Sequence, residues 1–189
     1  MKKVTKEEVL EVGEQLFRTM GYHATGTEEI LKATSYSRSS FYHHFADLEV
    51  FTVYLLEHHL KQAKILAKKE SECEHLEDFI DVIIEHGDDL LFNRQLRIHR
   101  ENEQFATCFA KVNEISVPEI VAAWAKILQL TDNTQLTETF LQLVLENFFV
   151  QLTGETLNRN WLERYFNNII NLVKQFKKTG KVPALNASV

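Results

Sequence analysis

Apolar and small residues recur at Val9, Leu10, Gly13, Leu16, Phe17 and Met20, the three-and-four spacing of a single helix face. Thr5, with Glu8 three residues on, has the pattern of a capping box, and Gly21 offers a left-handed stop. The pattern predicts a first helix over about 6–20. Thr25 with Glu28 repeats the box and predicts a short second helix to about Ala33. Thr34-Ser35-Tyr36 reads as a tight connection, and Ser37 as the N-cap of a third helix, Arg38 to His44, ending near Phe45. Asp47 then caps a long helix to about Lys69, with Leu48, Phe51, Leu55, His59 and Ala63 at seam spacing. Further helical segments are expected at about 75–92, in a broken stretch near 94–112, and at 117–130, 134–153 and 159–178. Thr131 to Thr134 and Thr153-Gly154 read as connections, and the tail from Thr179 as loosely ordered.

Composition agrees with this periodicity. Of 189 residues only six are Gly and two are Pro, and both Pro fall late, at Pro118 and Pro183. Few breakers favour helices over a many-turned β fold, so the expected class is all-α. Cys73 and Cys108 are too few for a disulfide framework and suit a reducing compartment. The N-terminus lacks an apolar signal core and no run approaches membrane-spanning length, so the expectation is a cytoplasmic protein without a membrane partner.

Charge narrows the function. The net charge is −6, and residues 1–60 carry six Lys and Arg against nine Asp and Glu. A nonspecific, charge-driven coat on DNA needs a dense basic surface, which this is not. A small specific contact set remains open if its cations, Lys2, Lys3, Lys6, Lys32 and Arg38, cluster. Glu7, Glu8, Glu11 and Glu14 read as a solvated acidic side of the first helix.

Two short helices joined by a three-residue turn and braced by a preceding helix are the layout of a DNA-reading helix-turn-helix. A helix entering a major groove presents its N-terminal N–H groups to phosphate. Ser37, Ser39 and Ser40 can donate to phosphate, and Arg38 can reach a phosphate or pair with guanine. Tyr42 and His43 lie further along the outward face, while Phe41 and Phe45, four apart, should turn inward against Leu16, Phe17 and Ile30.

These residues resemble the tetracycline-repressor (TetR) family of bacterial regulators. The resemblance rests on Leu16-Phe17, Gly21-Tyr22, Thr25, Ile30, the run Ser37-Arg38-Ser39-Ser40-Phe41-Tyr42-His43-His44-Phe45, and Glu49. It covers about residues 5–50. Ser35 stands where the family usually has Gly, Thr27 where it has an aliphatic, and Leu48 where it has a phosphate-gripping Lys. The resemblance implies a DNA-binding domain over 1–47, with Thr25, Ser37, Arg38, Ser39, Ser40, Tyr42, His43 and His44 as the contact set. It also implies a helical domain over 48–189 that binds a small-molecule effector and dimerises through its last two helices.

The C-terminal residues support this independently. Phe140, Val144 and Phe148 in one segment, and Tyr165, Phe166, Ile169, Ile170 and Val173 in the next, belong to stripes too wide for one face of a surface helix. These eight are the expected homodimer interface. The expected effector pocket is Phe79, Ile83, His86, Phe105, Phe109, Trp124, Phe140, Val144, Asn147 and Phe148, although for any single one of them plain core is the more natural use. Adjacent pairs, His43-His44 and His58-His59, point about 100° apart on a helix and make poor metal sites, so no metal or other cofactor is expected.

The reading is a dimeric regulator on a near-palindromic double-stranded operator, its two recognition helices about 34–36 Å apart and released by an effector. The competing reading is an interaction protein that keeps the fold but acts through a protein partner. An enzyme ranks last, for want of a Gly-rich phosphate loop, nucleophile elbow or metal-ligand spacing.

Overall fold

The computed structural model describes residues 4–129 and 134–179; of the side chains of 134–140, 143, 176, 177 and 179 nothing is stated. Among the described residues there are nine α-helices and one 3-10 turn, with no strand. The helices are α1 (Lys6–Met20), α2 (Thr27–Thr34), α3 (Arg38–Phe45), α4 (Leu48–Ser71), α5 (Leu76–Glu85), α6 (Gly87–Ile98), α7 (Glu103–Ile127), α8 (Thr134–Gln151) and α9 (Arg159–Thr179). The fold is all-α, as the periodicity requires.

Local signals set the first boundaries. The Thr5 side chain accepts the Glu8 N–H at 3.2 Å while Glu8 accepts the Thr5 N–H at 2.8 Å, closing the expected box on α1. Gly21 ends α1 at φ 83°, but with ψ 160°, an extended turn open to glycine rather than a left-handed helical cap. A 3-10 turn, Tyr22–Ala24, follows. The second box does not form as expected; only a one-sided version exists, one residue later. Gly26 is the N-cap of α2 and Glu29 reaches back to its N–H at 3.1 Å, while the Thr25 hydroxyl donates to the Gly21 carbonyl at 2.9 Å. Ser37 and Asp47 cap α3 and α4 as read, accepting from Ser40 N–H at 3.0 Å and Val50 N–H at 2.8 Å.

Later boundaries differ from the periodicity. The segment expected over 75–92 breaks at His86, so α5 and α6 are separate helices. Asn102 starts α7, its side chain accepting the N–H groups of Gln104 and Phe105 at 2.9 and 3.3 Å. From there α7 runs unbroken through Pro118, where a new helix had been expected. The missing proline N–H removes one helical bond, and the burial of Val112, Ile120, Val121 and Trp124 along the same helix offsets that loss.

The chain forms two compact units. The first takes the described residues to Lys68 together with His86–Pro118; the second takes Lys69–Glu85 and the residues from Glu119 on. The first unit is cored by Val9, Phe17, Ile30, Phe41, Phe45, Phe51, Leu55, Phe92, Leu96 and Phe105, with α1 packed on α2 and α6. In the second, α5 packs on α9, and Phe79, Trp124, Phe148 and Phe166 form a ring cluster with centroids 5.2–5.7 Å apart.

Candidate nucleic-acid interface

The third helix has a clean inside and outside. Phe41 and Phe45 are fully buried, 5.1 Å apart, each against the Phe51 ring at 5.5 and 5.0 Å. They share a core with Phe17 and Ile30, as expected, but their nearest ring partner comes from α4. On the opposite side Arg38, Ser39, Tyr42, His43 and His44 are exposed. Tyr42, at 43% exposure, is an aromatic with no burial reason to be there. His44 stacks on Tyr36 at 6.1 Å, which fixes its ring at the foot of the turn.

Two members of the expected contact set have their hydroxyl protons committed. Thr25 is 2% exposed and donates to Gly21, so it secures the approach to α2 and has no donor left for phosphate. Ser37 accepts from the Ser40 N–H and donates to Ser40 Oγ at 2.7 Å, which leaves the Ser40 hydroxyl as the free donor of the pair. Ser35 links the two helices at φ 55°, ψ 22°, so the turn keeps left-handed geometry without glycine. Arg38 is held by an ion pair to Glu28 of α2, on the exposed surface. The sequence expectation had treated Glu28 as a cap. Lys6 lies over the Tyr54 ring at 3.3 Å, away from any role as a free cation, while Lys2 and Lys3 lie outside the described residues.

Three contacts seat α1, the brace of the helix pair. Gly13 abuts the Phe51 ring, where even a methyl group would collide. Glu14, expected on a solvated face, is buried instead. Its Oε1 lies 2.7 Å from Nδ1 of the fully buried His59, whose Nε2 lies 2.7 Å from Asn93 Oδ1. Beside a carboxylate Nδ1 must donate, so a neutral ring accepts at Nε2 from the Asn93 amide turned about its last bond, and a charged ring donates there to its carbonyl. Arg18 completes the α1–α6 face through Asp88 at 3.1 Å. No spacing in the sequence marks these pairs, because each joins separate helices.

The residues expected to line an effector pocket fall in both units. Phe79, Ile83, Trp124, Val144, Asn147 and Phe148 belong to the second unit, and His86, Phe105 and Phe109 to the first. Phe105 is core, packed on Tyr22 at 4.7 Å, and His86 is tied through Nδ1 to Asp89 at 3.0 Å. Of the expected dimer residues, Phe148, Phe166 and Val173 are buried, and the Phe148 and Phe166 rings stack on each other within the ring cluster. Val144, Tyr165, Ile169 and Ile170 are half-buried. The Tyr165 hydroxyl donates to the Val144 carbonyl at 3.0 Å, and burial pushes its pKa up to about 12. The Phe140 side chain lies outside the described residues.

Residues 9–49 match the bacterial regulatory proteins of the tetR family. This segment is similar to the helix-turn-helix domain of that family. The match takes in α2, the Ser35 turn, α3 and most of α1, the elements that create the outward face just described. The chain is also 42% identical over 55 residues to the HTH-type transcriptional repressor NemR of Escherichia coli strain K12, and equally to that of Escherichia coli O6:H1. The similarity covers 29% of this chain and 28% of each relative's length. The chain thus spans less than a third of the length of the relatives it matches, and among the described residues no helix is long and apolar enough to cross a membrane.

Proposed function

We propose that the protein is a dimeric, sequence-specific repressor that reads a near-palindromic operator through α3 and releases it on binding a small molecule. The observation that carries this reading is the two-sided third helix: Phe41 and Phe45 fully buried, Arg38, Ser39, Tyr42, His43 and His44 outside. The working contacts are Arg38 to a guanine edge or phosphate, Ser39 and Ser40 to phosphate, and Tyr42, His43 and His44 to backbone or thymine methyl. Dimerisation rests on the half-buried α8 and α9 residues Val144, Tyr165, Ile169 and Ile170.

For the effector, the first unit has an open cleft of about 330 Å³ where Leu56 and Leu60 of α4 face Thr107 and Lys111 of α7, with Glu57 and Glu103 at its sides. Occupying it would press on α4, whose other residues seat α1. A cleft mixing apolar walls with both charges suits a small polar organic effector.

The test is fluorescence anisotropy with DNA from the region upstream of the protein's own gene. Tight binding that Arg38→Ala and Tyr42→Ala each weaken at least tenfold is the expected result; equal binding by all three proteins would remove the reading-helix assignment. The reading of a partner-dependent co-regulator is favoured by one observation, the engagement of Arg38 by Glu28, and absence of any bound site in a genomic DNA pull-down would select it.

A further inference from the structure

Away from the reading helix, two imidazoles and a carboxylate converge from separate segments. His23 lies in the 3-10 turn after α1, and His99 and Glu101 lie in the connection between α6 and α7. Each offers one donor atom, and the three atoms lie within 4.8 Å of one another. All three belong to the unit that contains the helix-turn-helix. His99 Nδ1 is already 3.3 Å from Glu101 Oε1. That is roughly the separation of two donors on a tetrahedral ion with bonds of about 2.0–2.2 Å. The His23 and His99 rings meet edge to face at 5.3 Å.

The setting suits capture of an ion. His23 and Glu101 are exposed and His99 half-buried, so an ion can enter from solvent and the side chains can close by rotation. Behind them stand the Tyr22 and Phe105 rings, which meet edge-on and pack on Phe17 in the core at 5.5 and 6.3 Å. This apolar wall limits how far the imidazoles can splay. A simple surface pair between His99 and Glu101 would leave His23 without a role.

We propose that His23, His99 and Glu101 form a binding site for a divalent transition-metal ion of the zinc type, with water in the fourth position. Two imidazoles with one carboxylate select such ions over magnesium or calcium, which prefer all-oxygen shells. The bound ion would tie the turn before α2 to the α6–α7 connection, two segments that the ring contacts of Tyr22 and His23 with His99 also join. Metal binding stands independently of the DNA-binding reading; only an effect on operator affinity would rest on it.

The experiment is calorimetric titration of the full chain with zinc chloride, alongside His23→Ala, His99→Ala and the control His43→Ala/His44→Ala. The expected result is one saturable zinc site per chain, unchanged in the control, weakened at least tenfold by each single variant, and a zinc-induced rise in Tm that both single variants lose. Circular dichroism checks the fold, and His23→Gln and His99→Gln repeat the test where an alanine variant melts early. Cobalt(II) replaces zinc for a second readout. The absence of a thiolate-to-cobalt charge-transfer band is expected, and its presence would place the ion on a cysteine and overturn the site. Absence of saturable zinc binding by the unmodified chain, or binding that survives loss of either histidine, overturns it equally.

Discussion

His59 Nδ1 lies 2.7 Å from the Glu14 carboxylate, 45 residues away in the chain, with Asn93 at the same distance from the other ring nitrogen. One imidazole thus joins α1, α4 and α6 beneath the helix-turn-helix. His59→Leu would leave both partners buried with no ring to bond. The expected cost is about 2–4 kcal/mol, read from urea unfolding. Pairing it with Glu14→Leu should recover a substantial part, whereas additive losses would show that the two side chains do not interact.

The contact between Gly13 and Phe51 predicts a second loss. Gly13→Ala would ordinarily stabilise a helix, yet here the added methyl meets a fully buried ring. Overpacking of this kind costs about 1–3 kcal/mol. A lower urea midpoint at unchanged slope is the expected signature, and Gly13→Ala combined with Phe51→Leu should relieve it.

At Ser35 the expectation reverses. The residue is exposed and sits at φ 55°, a conformation that costs L-residues roughly 1–2 kcal/mol and glycine almost nothing. After allowing for the larger freedom of unfolded glycine, Ser35→Gly should raise stability by about 0.5–1 kcal/mol. Thermal unfolding checks it; a lower Tm would mean that the serine side chain contributes more than the turn costs.

Arg38 and Glu28 set a test of the reading helix. Arg38→Ala should weaken operator binding at least tenfold, within the upper part of the ~1–3 kcal/mol that a paired guanine contact contributes. Glu28→Gln should strengthen it, because the arginine no longer has to leave an internal partner. An anisotropy titration in which Glu28→Gln binds more weakly would mean that the pair positions Arg38 for DNA rather than competing with it.

Glu70 gives a pH prediction. It is buried, its Oε2 has no hydrogen-bond partner, and desolvation raises its pKa from 4.5 to about 8. The folded state therefore holds this proton more tightly than the unfolded chain does. Its contribution to stability is full below about 4.5 and is lost as pH rises through about 8. Glu70→Gln should flatten the decline in Tm between these limits, and an unchanged slope would exclude Glu70 as its source.

What could be read from the sequence follows the range of the interactions concerned. Thr5, Ser37 and Asp47 act on N–H groups three residues away, so a short window shows them, and α1, α3 and the start of α4 stand where their caps predict. The inward turn of Phe41 and Phe45 follows from their four-residue spacing. Glu14 looked solvated because its helix neighbours are acidic, and only the arrival of His59 from α4 explains its burial. Likewise, aromatic identity predicts that Phe105 and Trp124 are buried but not that they lie in different units. A break before 117–130 was expected on local grounds, whereas burial along α7 carries one helix through it and past Pro118.

The meeting of Gly13 with the Phe51 ring has a mechanical consequence. A ring lodged where a neighbouring helix has no side chain works like a key in a slot, giving α1 a single seat along α4. A displacement of α4 at that level drags α1 with it by volume exclusion alone. Such a linkage does not depend on charge, so raising the salt concentration, which loosens any grip on phosphate, would leave the transmission of movement toward α3 intact.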